Sequence, residues 1–215
     1  MHRKKVAIFL GGRVKTTKYD VVIKNLKQFI ELYDTTFFCS LNESAHEISS
    51  TERLCNDLNI KPECLNIEIT KEPDILNTFS KRPESSFHRT WSMYYHNKRC
   101  FELIQSYQEK YKITFDAIVK YRGDISSNYP LIIVENINSN TTVYIPTGAD
   151  WGGINDQVAY GNIASMEKYC KCSDFIIEYC GTDKVIFHPE TLLKHHLSKC
   201  GLKVERINYS YELSK

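Results

Sequence analysis

Short apolar runs that end in glycine or polar residues alternate in this sequence with stretches of helical periodicity. That alternation confines the chain to an α/β fold around a mostly parallel sheet flanked by helices. Residues 5–11 (KVAIFLG) read as a buried first strand stopped by Gly11-Gly12. Residues 19–33 then repeat apolar side chains at helical spacing through Val22, Ile23, Leu26, Phe29 and Ile30. Residues 35–42 form a second strand, 50–58 a short helix with Ser50 or Thr51 as N-cap, and 64–70 a third strand. A charged, proline-bearing loop over 71–85 leads into the longest helix. There Phe87, Trp91, Tyr94, Tyr95, Phe101, Ile104, Tyr107 and Tyr111 recur at helical spacing, an aromatic stripe that predicts core packing. Strands over 115–122, 142–146 and 158–161, helices over 164–179 and 189–200, and a closing strand over 204–211 complete the pattern.

The 215 residues, 42% of them hydrophobic, suit a single domain over 1–215, either standing alone or as one module of a longer polypeptide. With 9 Gly and 6 Pro and no biased segment, a disordered or fibrous chain is excluded. A formal charge of +2 gives no electrostatic footprint for nucleic acid, and the 14 Tyr and 10 Phe have no basic groove to accompany them. No run approaches the ~18 apolar residues of a membrane span. The apolar stretch after the basic start His2-Arg3-Lys4-Lys5 is shorter than the roughly 7–15 residues of a signal peptide's core. The expectation is a soluble cytoplasmic protein, which for a virus means the host cytoplasm. On that reading the eight cysteines are reduced thiols, and the sequons at Asn42, Asn140 and Asn208 carry no weight. Cys170, Cys172, Cys180 and Cys200 with His188, His195 and His196 raise the question of zinc. Cys170-Lys171-Cys172 nevertheless lacks the second paired spacing of a structural zinc site.

Three segments at strand ends carry polar chemistry, where ligands of open α/β sheets bind. In Gly11-Gly12-Arg13, followed by Lys15 and Lys18, glycines let the backbone approach a ligand and cations offset phosphate charge; a plain turn is the alternative. Neither the P-loop nor the spaced dinucleotide fingerprint is present. In Tyr121-Arg122-Gly123-Asp124 a carboxylate leaves an apolar strand beside a glycine, a placement that suits a hard cation bridging to phosphate; a surface ion pair is the alternative. In Asp150-Trp151-Gly152-Gly153-Ile154-Asn155-Asp156 the tryptophan offers a face to a sugar ring or base. Asp156 there is a proton acceptor or only a turn cap.

Four segments together, VAIFLGGRVKT, FDAIVKYRGDI, INDQVAYGNIASMEKYC and HPETLLKHHLSKCGLKV, resemble GT-A-fold glycosyltransferases of the large-DNA-virus, chlorella-virus type and related capsular and lipopolysaccharide transferases. The resemblance implies transfer of a sugar from a nucleotide-sugar donor, UDP-linked, to a hydroxyl of a glycan or glycoprotein acceptor, with Mn²⁺ or Mg²⁺ on the diphosphate. It implies Asp124 as metal ligand, in a motif whose first acid is replaced by Arg122. His188 is a second candidate ligand, with Glu190 beside it. The stretch from Trp151 to Asp156 resembles the WGGED segment of inverting galactosyltransferases, which would make Asp156 the general base. Gly11, Gly12, Arg13, Lys98, Arg122 and Trp151 are then the donor-binding candidates, the cations stabilising charge on the departing β-phosphate. Both inverting and retaining outcomes remain open. The alternatives are a non-catalytic carbohydrate- or nucleotide-binding module of the same fold and a zinc-stabilised interaction domain.

Overall fold

The computed structural model describes residues 3–12, 19–42, 48–70 and 85–213, so the expectations placed on Arg13, Lys15, Lys18 and the loop 71–84 lie outside the described residues. The strands are β1 (Lys5–Gly12), β2 (Asp34–Asn42), β3 (Leu65–Glu68), β4 (Ala117–Tyr121), β5 (Ile125–Ser126), β6 (Thr142–Pro146), β7 (Val158–Gly161), β8 (Lys203–Ile207) and β9 (Glu212–Leu213). The helices are α1 (Tyr19–Leu32), α2 (Ile48–Leu58), α3 (Ser85–Tyr111), α4 (Ile163–Cys170), α5 (Ile176–Gly181) and α6 (Pro189–Lys199).

Seven strands form one sheet in the order β3-β2-β1-β4-β7-β6-β8, and β5 pairs with β9 apart from it. All ladders of the large sheet are parallel except those on either side of β7, which runs against β4 and β6. The sheet is therefore mostly parallel, as the alternating pattern predicts. Helices cover both faces. On one, Phe29 of α1 meets Tyr121 edge-on at 5.4 Å; on the other, Tyr107 of α3 meets Phe38 edge-on at 5.4 Å. The aromatic stripe of α3 packs into the core through Trp91, Tyr94, Phe101, Ile104 and Tyr107, whereas Tyr111 is exposed and the side chain of Phe87 lies outside the described ones.

Three expectations need correction. α2 begins at Ile48, so Ser50 and Thr51 lie inside its first turn instead of capping it. The helix expected over 164–179 is α4, a 3₁₀ stretch Lys171–Phe175 and then α5. Cys170, Cys172 and Ser173 are all buried there, a grouping that one α-helical face cannot provide and a tighter turn can. The closing strand splits as well. The chain leaves β8 at Ile207, ties Tyr209 to Tyr121 through their hydroxyls at 2.8 Å, and resumes as β9 beside β5.

Candidate functional site

The carboxyl ends of β1 and β4 and the amino end of β7 fall at one edge of the sheet. Phe9 pairs with Lys120, and Tyr121 pairs with Val158. Gly11–Gly12, Arg122–Asp124 and the loop 147–157 therefore gather where connections diverge, β1 being followed by β2 on one side and flanked by β4 on the other. Such a switch point is where open α/β sheets take ligands. The two glycines differ. A Cβ on Gly11 would lie 2.6 Å from Asn97 Oδ1, so that position serves the close approach of α3. Gly12 has φ +97°, a left-handed backbone that glycine adopts freely, and no described atom lies within 4 Å of where its Cβ would be.

Arg122 and Asp124 form a two-pronged ion pair, Nε to Oδ1 at 2.7 Å and Nη2 donating to Oδ2 at 3.1 Å. Asp124 is buried while the Arg122 side chain is 37% exposed. Two residues before Arg122, Lys120 stands on a strand buried throughout. Its ammonium donates to the backbone carbonyl of Asp156. Burial pulls its pKa down to about 8, against the upward pull of the Asp156 carboxylate. Asp156 is itself 4% exposed, and among the described residues its carboxylate accepts no hydrogen bond and forms no ion pair.

The loop that delivers Asp156 is braced at several points. Asp150 accepts from the Asn155 backbone at 2.9 Å and takes both carboxylate oxygens to Arg206 at 3.0 Å. Asn155, fully buried, donates to the Gly148 carbonyl and to Tyr211 Oη and accepts from the Gln157 backbone. Gly153 lies so close to the Glu190 carbonyl that no Cβ would fit, and Ile154 N–H donates to that carbonyl at 2.9 Å. Ala149 and Trp151 hold left-handed backbone, rare without glycine and found at functional loops. Trp151 is 74% exposed and stacks on no ring among the described residues. Asp156 is thus not a turn cap; Asp150 and Asn155 do that work.

α6 closes the cluster. His188 Nδ1 lies 2.7 Å from Glu190 Oε2, and Tyr94 of α3 donates to the Pro189 carbonyl at 2.6 Å. Burial, then the neighbouring Asp156 charge, pushes the Glu190 carboxyl up to about 7. The hydroxyl of Tyr169, buried near Asp156, has no partner among the described residues. Lys98 stands apart, its ammonium 2.6 Å from Asp174. A second polar cluster sits at the ends of β2 and β3. His96, 0% exposed, bridges Ser40 and Thr70 hydroxyls at 2.8 Å each, and Asn66 donates to both Ser40 and Glu68.

The donor set does not suit a resident divalent cation. Asp124 is committed to Arg122, His188 to Glu190, and among the described residues no three His, Cys, Asp or Glu side chains converge as metal ligands. The repulsion between a dication and the Arg122 guanidinium would be about 8 kcal/mol at 4 Å and an effective dielectric of 20. The cysteine cluster does not suit zinc either. Burial raises the thiol pKa values of Cys170, Cys172, Cys180 and Cys200, and both ring nitrogens of His196 are engaged, by Tyr179 Oη and the Lys168 carbonyl.

Sequence reasoning passed over Lys120, Tyr94, Tyr169 and the His96 network. Lys120 had a signal: a lone cation in the apolar run AIVKY. Tyr94 and His96 were hidden inside a stripe whose periodicity already had an explanation.

A family model described as "Domain of unknown function (DUF7796)" matches residues 2–204. The chain belongs to that family. No curated protein matches it by sequence. Among solved structures, the nucleoside-diphosphate-sugar pyrophosphorylase from Vibrio cholerae RC9 aligns over 97% of this chain and 95% of its own, at 12% identity and TM-score 0.51. A glycosyltransferase involved in glycosylation of the major capsid of PBCV-1 aligns over 94% and 81%, at 12% identity and TM-score 0.42. The apo glycosyltransferase GlyE of Streptococcus pneumoniae TIGR4 aligns over 94% and 45%, at 12% identity and TM-score 0.45. The likeness to the pyrophosphorylase is one of fold: the chain is an α/β domain of GT-A-like architecture. No helix among the described residues is long and apolar enough to cross a membrane.

Proposed function

We propose that the chain is a glycosyltransferase that moves a sugar from a nucleoside-diphosphate donor, UDP-linked by the sequence resemblance, to a hydroxyl of a glycan. The observation that carries this reading is Asp156, a buried carboxylate without a hydrogen-bond partner among the described residues, held at the β1/β4 switch point beside two cations. An unpaired buried carboxylate is costly unless something arrives to use it.

In the step, the acceptor oxygen attacks the anomeric carbon as its proton passes to an Asp156 carboxylate oxygen. The bond between that carbon and the β-phosphate oxygen breaks, and its electron pair stays on the phosphate. Arg122, oriented by Asp124, faces the charge that develops there. A single displacement of this kind inverts the anomeric centre. Trp151, whose exposed ring supports this reading, stacks on the acceptor or donor sugar.

The fold supports a second reading, nucleotidyl transfer between a sugar 1-phosphate and a nucleoside triphosphate, because the pyrophosphorylase neighbour has the same architecture. Product analysis separates the two. Incubation with a panel of UDP-sugars should release UDP, and Asp156→Asn should stop the release while leaving UDP bound. Release of pyrophosphate from UTP and a sugar 1-phosphate would select the second reading. Donor binding with no turnover of either kind would leave a non-catalytic module.

A further inference from the structure

The residues of this site supply their own positive charge, and they supply it where the sequence resemblance puts a metal. Asp124, the implied ligand, has both oxygens on the Arg122 guanidinium, at 2.7 and 3.1 Å. A guanidinium carries five N–H donors, and this pair uses only two of them. The Arg122 side chain is 37% exposed, so the ion pair does not enclose it as it encloses Asp124. Behind it Lys120 is fully enclosed, held by the Asp156 carbonyl and flanked by the Asp124 and Asp156 charges. Lys120 touches no ligand in this arrangement; it balances two buried acids and fixes the Asp156 loop. Asp124 is thereby neutralised by the chain itself, and a divalent cation at that position would find both of its oxygens already held by the guanidinium.

From this geometry we infer that the site binds a nucleoside diphosphate without a divalent cation, the exposed edge of Arg122 contacting the phosphate oxygens and Asp124 acting as its orienting partner. A planar guanidinium clamped on one edge presents its other edge in fixed geometry, the arrangement that favours two-pronged phosphate binding. The inference rests on the proposal that this site takes a nucleotide-sugar, and the test separates the two.

The full-length chain is titrated calorimetrically with UDP, GDP, CDP and dTDP, once in EDTA and once in Mn²⁺. At least one diphosphate should bind in EDTA, with a Kd that Mn²⁺ alters by less than about threefold, under 1 kcal/mol. Arg122→Gln should weaken binding about tenfold in both buffers, as expected for loss of a charged hydrogen-bonding partner. Asp124→Asn should weaken binding by a similar factor in EDTA and in Mn²⁺, since it releases the guanidinium rather than a metal. Circular dichroism and melting curves of both variants separate loss of the contact from loss of the fold. Binding that appears only with Mn²⁺, or an Arg122→Gln variant that binds as well as the wild type, would overturn the inference and leave the nucleotide-sugar reading standing. Absence of binding by every diphosphate in both buffers would overturn both.

Discussion

Two polar clusters occupy the carboxyl edge of the same sheet, and their charges are settled in opposite ways. At the ends of β2 and β3, His96 is neutral, with each ring nitrogen on a hydroxyl, and Glu68 takes hydrogen bonds from Asn66, Tyr95 and Arg99. Burial there pulls the His96 pKa down to about 4. Beside β4 and β7, two acids and the Lys120 ammonium are enclosed together next to the partly exposed Arg122, a third acid is pushed up to about 7, and two oxygen-bearing groups, the Asp156 carboxylate and the Tyr169 hydroxyl, lack hydrogen-bond partners among the described residues. A cluster whose groups satisfy one another rigidifies a fold. One that leaves acceptors open at a strand end is held in a costly state by its surroundings, as functional sites are. On the proposed function, the cluster at β4 and β7 carries the chemistry and the cluster at β2 and β3 holds the fold.

The largest effect that follows is on turnover. Asp156→Asn should reduce sugar transfer by about 10²–10⁴-fold, the range for loss of a general base, with little change in melting temperature because no hydrogen bond to the carboxylate is lost. A disabled but unstable variant would instead place Asp156 among the structural residues and remove the contrast.

Next comes pH. Glu190, whose folded pKa of about 7 lies above its ordinary value, contributes stability that is complete below about pH 4.5 and lost as pH rises through 7. His96, whose folded pKa of about 4 lies below its ordinary value, contributes stability that is complete above about pH 6.5 and lost as pH falls through 4. Each amounts to about 3 kcal/mol over nearly the same window, with opposite sign. Urea unfolding at several pH values should therefore show Glu190→Gln gaining on the wild type as pH rises from 4.5 to 7. His96→Leu should lose least relative to the wild type at the acid end. Difference profiles that slope the same way would show that the two clusters are not electrostatically distinct.

These two regions were not equally legible in the sequence. Strands and helices could be read because burial on both faces leaves continuous apolar runs and burial on one face leaves a period, so β1, β4, β6 and β7 lie where the pattern puts them. Strand ends could be read too, since glycines and acids follow the runs, and Gly12, Arg122, Asp124 and Asp156 do converge there. Pairing was hidden. That Arg122 turns back on Asp124 instead of leaving it for a metal depends on side-chain direction, which spacing does not encode. Lys120 and Glu190 acquire their character from burial by elements distant in sequence.

A smaller effect tests how the two regions are held. Gly153→Ala would drive a methyl group into the Glu190 carbonyl and should cost about 1–3 kcal/mol, with the Asp156 loop displaced and transfer reduced alongside. Gly12→Ala meets no atom of the described residues and should cost less, mainly through its left-handed backbone, while sparing the loop. Comparable losses of transfer in both variants would mean that the loop's seat on α6 does not position Asp156.

The smallest expected effect concerns Lys98, which the sequence offered as a donor-binding cation. Its ammonium is 2.6 Å from Asp174, and the two side chains are 33% and 36% exposed. An ion pair of that exposure is worth about 0–1 kcal/mol. Lys98 lies on α3 one residue beyond Asn97, whose contact with Gly11 fixes the helix against β1, so turning Lys98 toward the switch point would require the ammonium to leave Asp174. Lys98→Ala should therefore shift the unfolding midpoint only slightly and leave the donor KM unchanged, whereas Arg122→Gln raises it. A donor KM that rises as much for Lys98→Ala as for Arg122→Gln would show that Lys98 exchanges Asp174 for phosphate when the donor binds, and the charged region would then extend across α3.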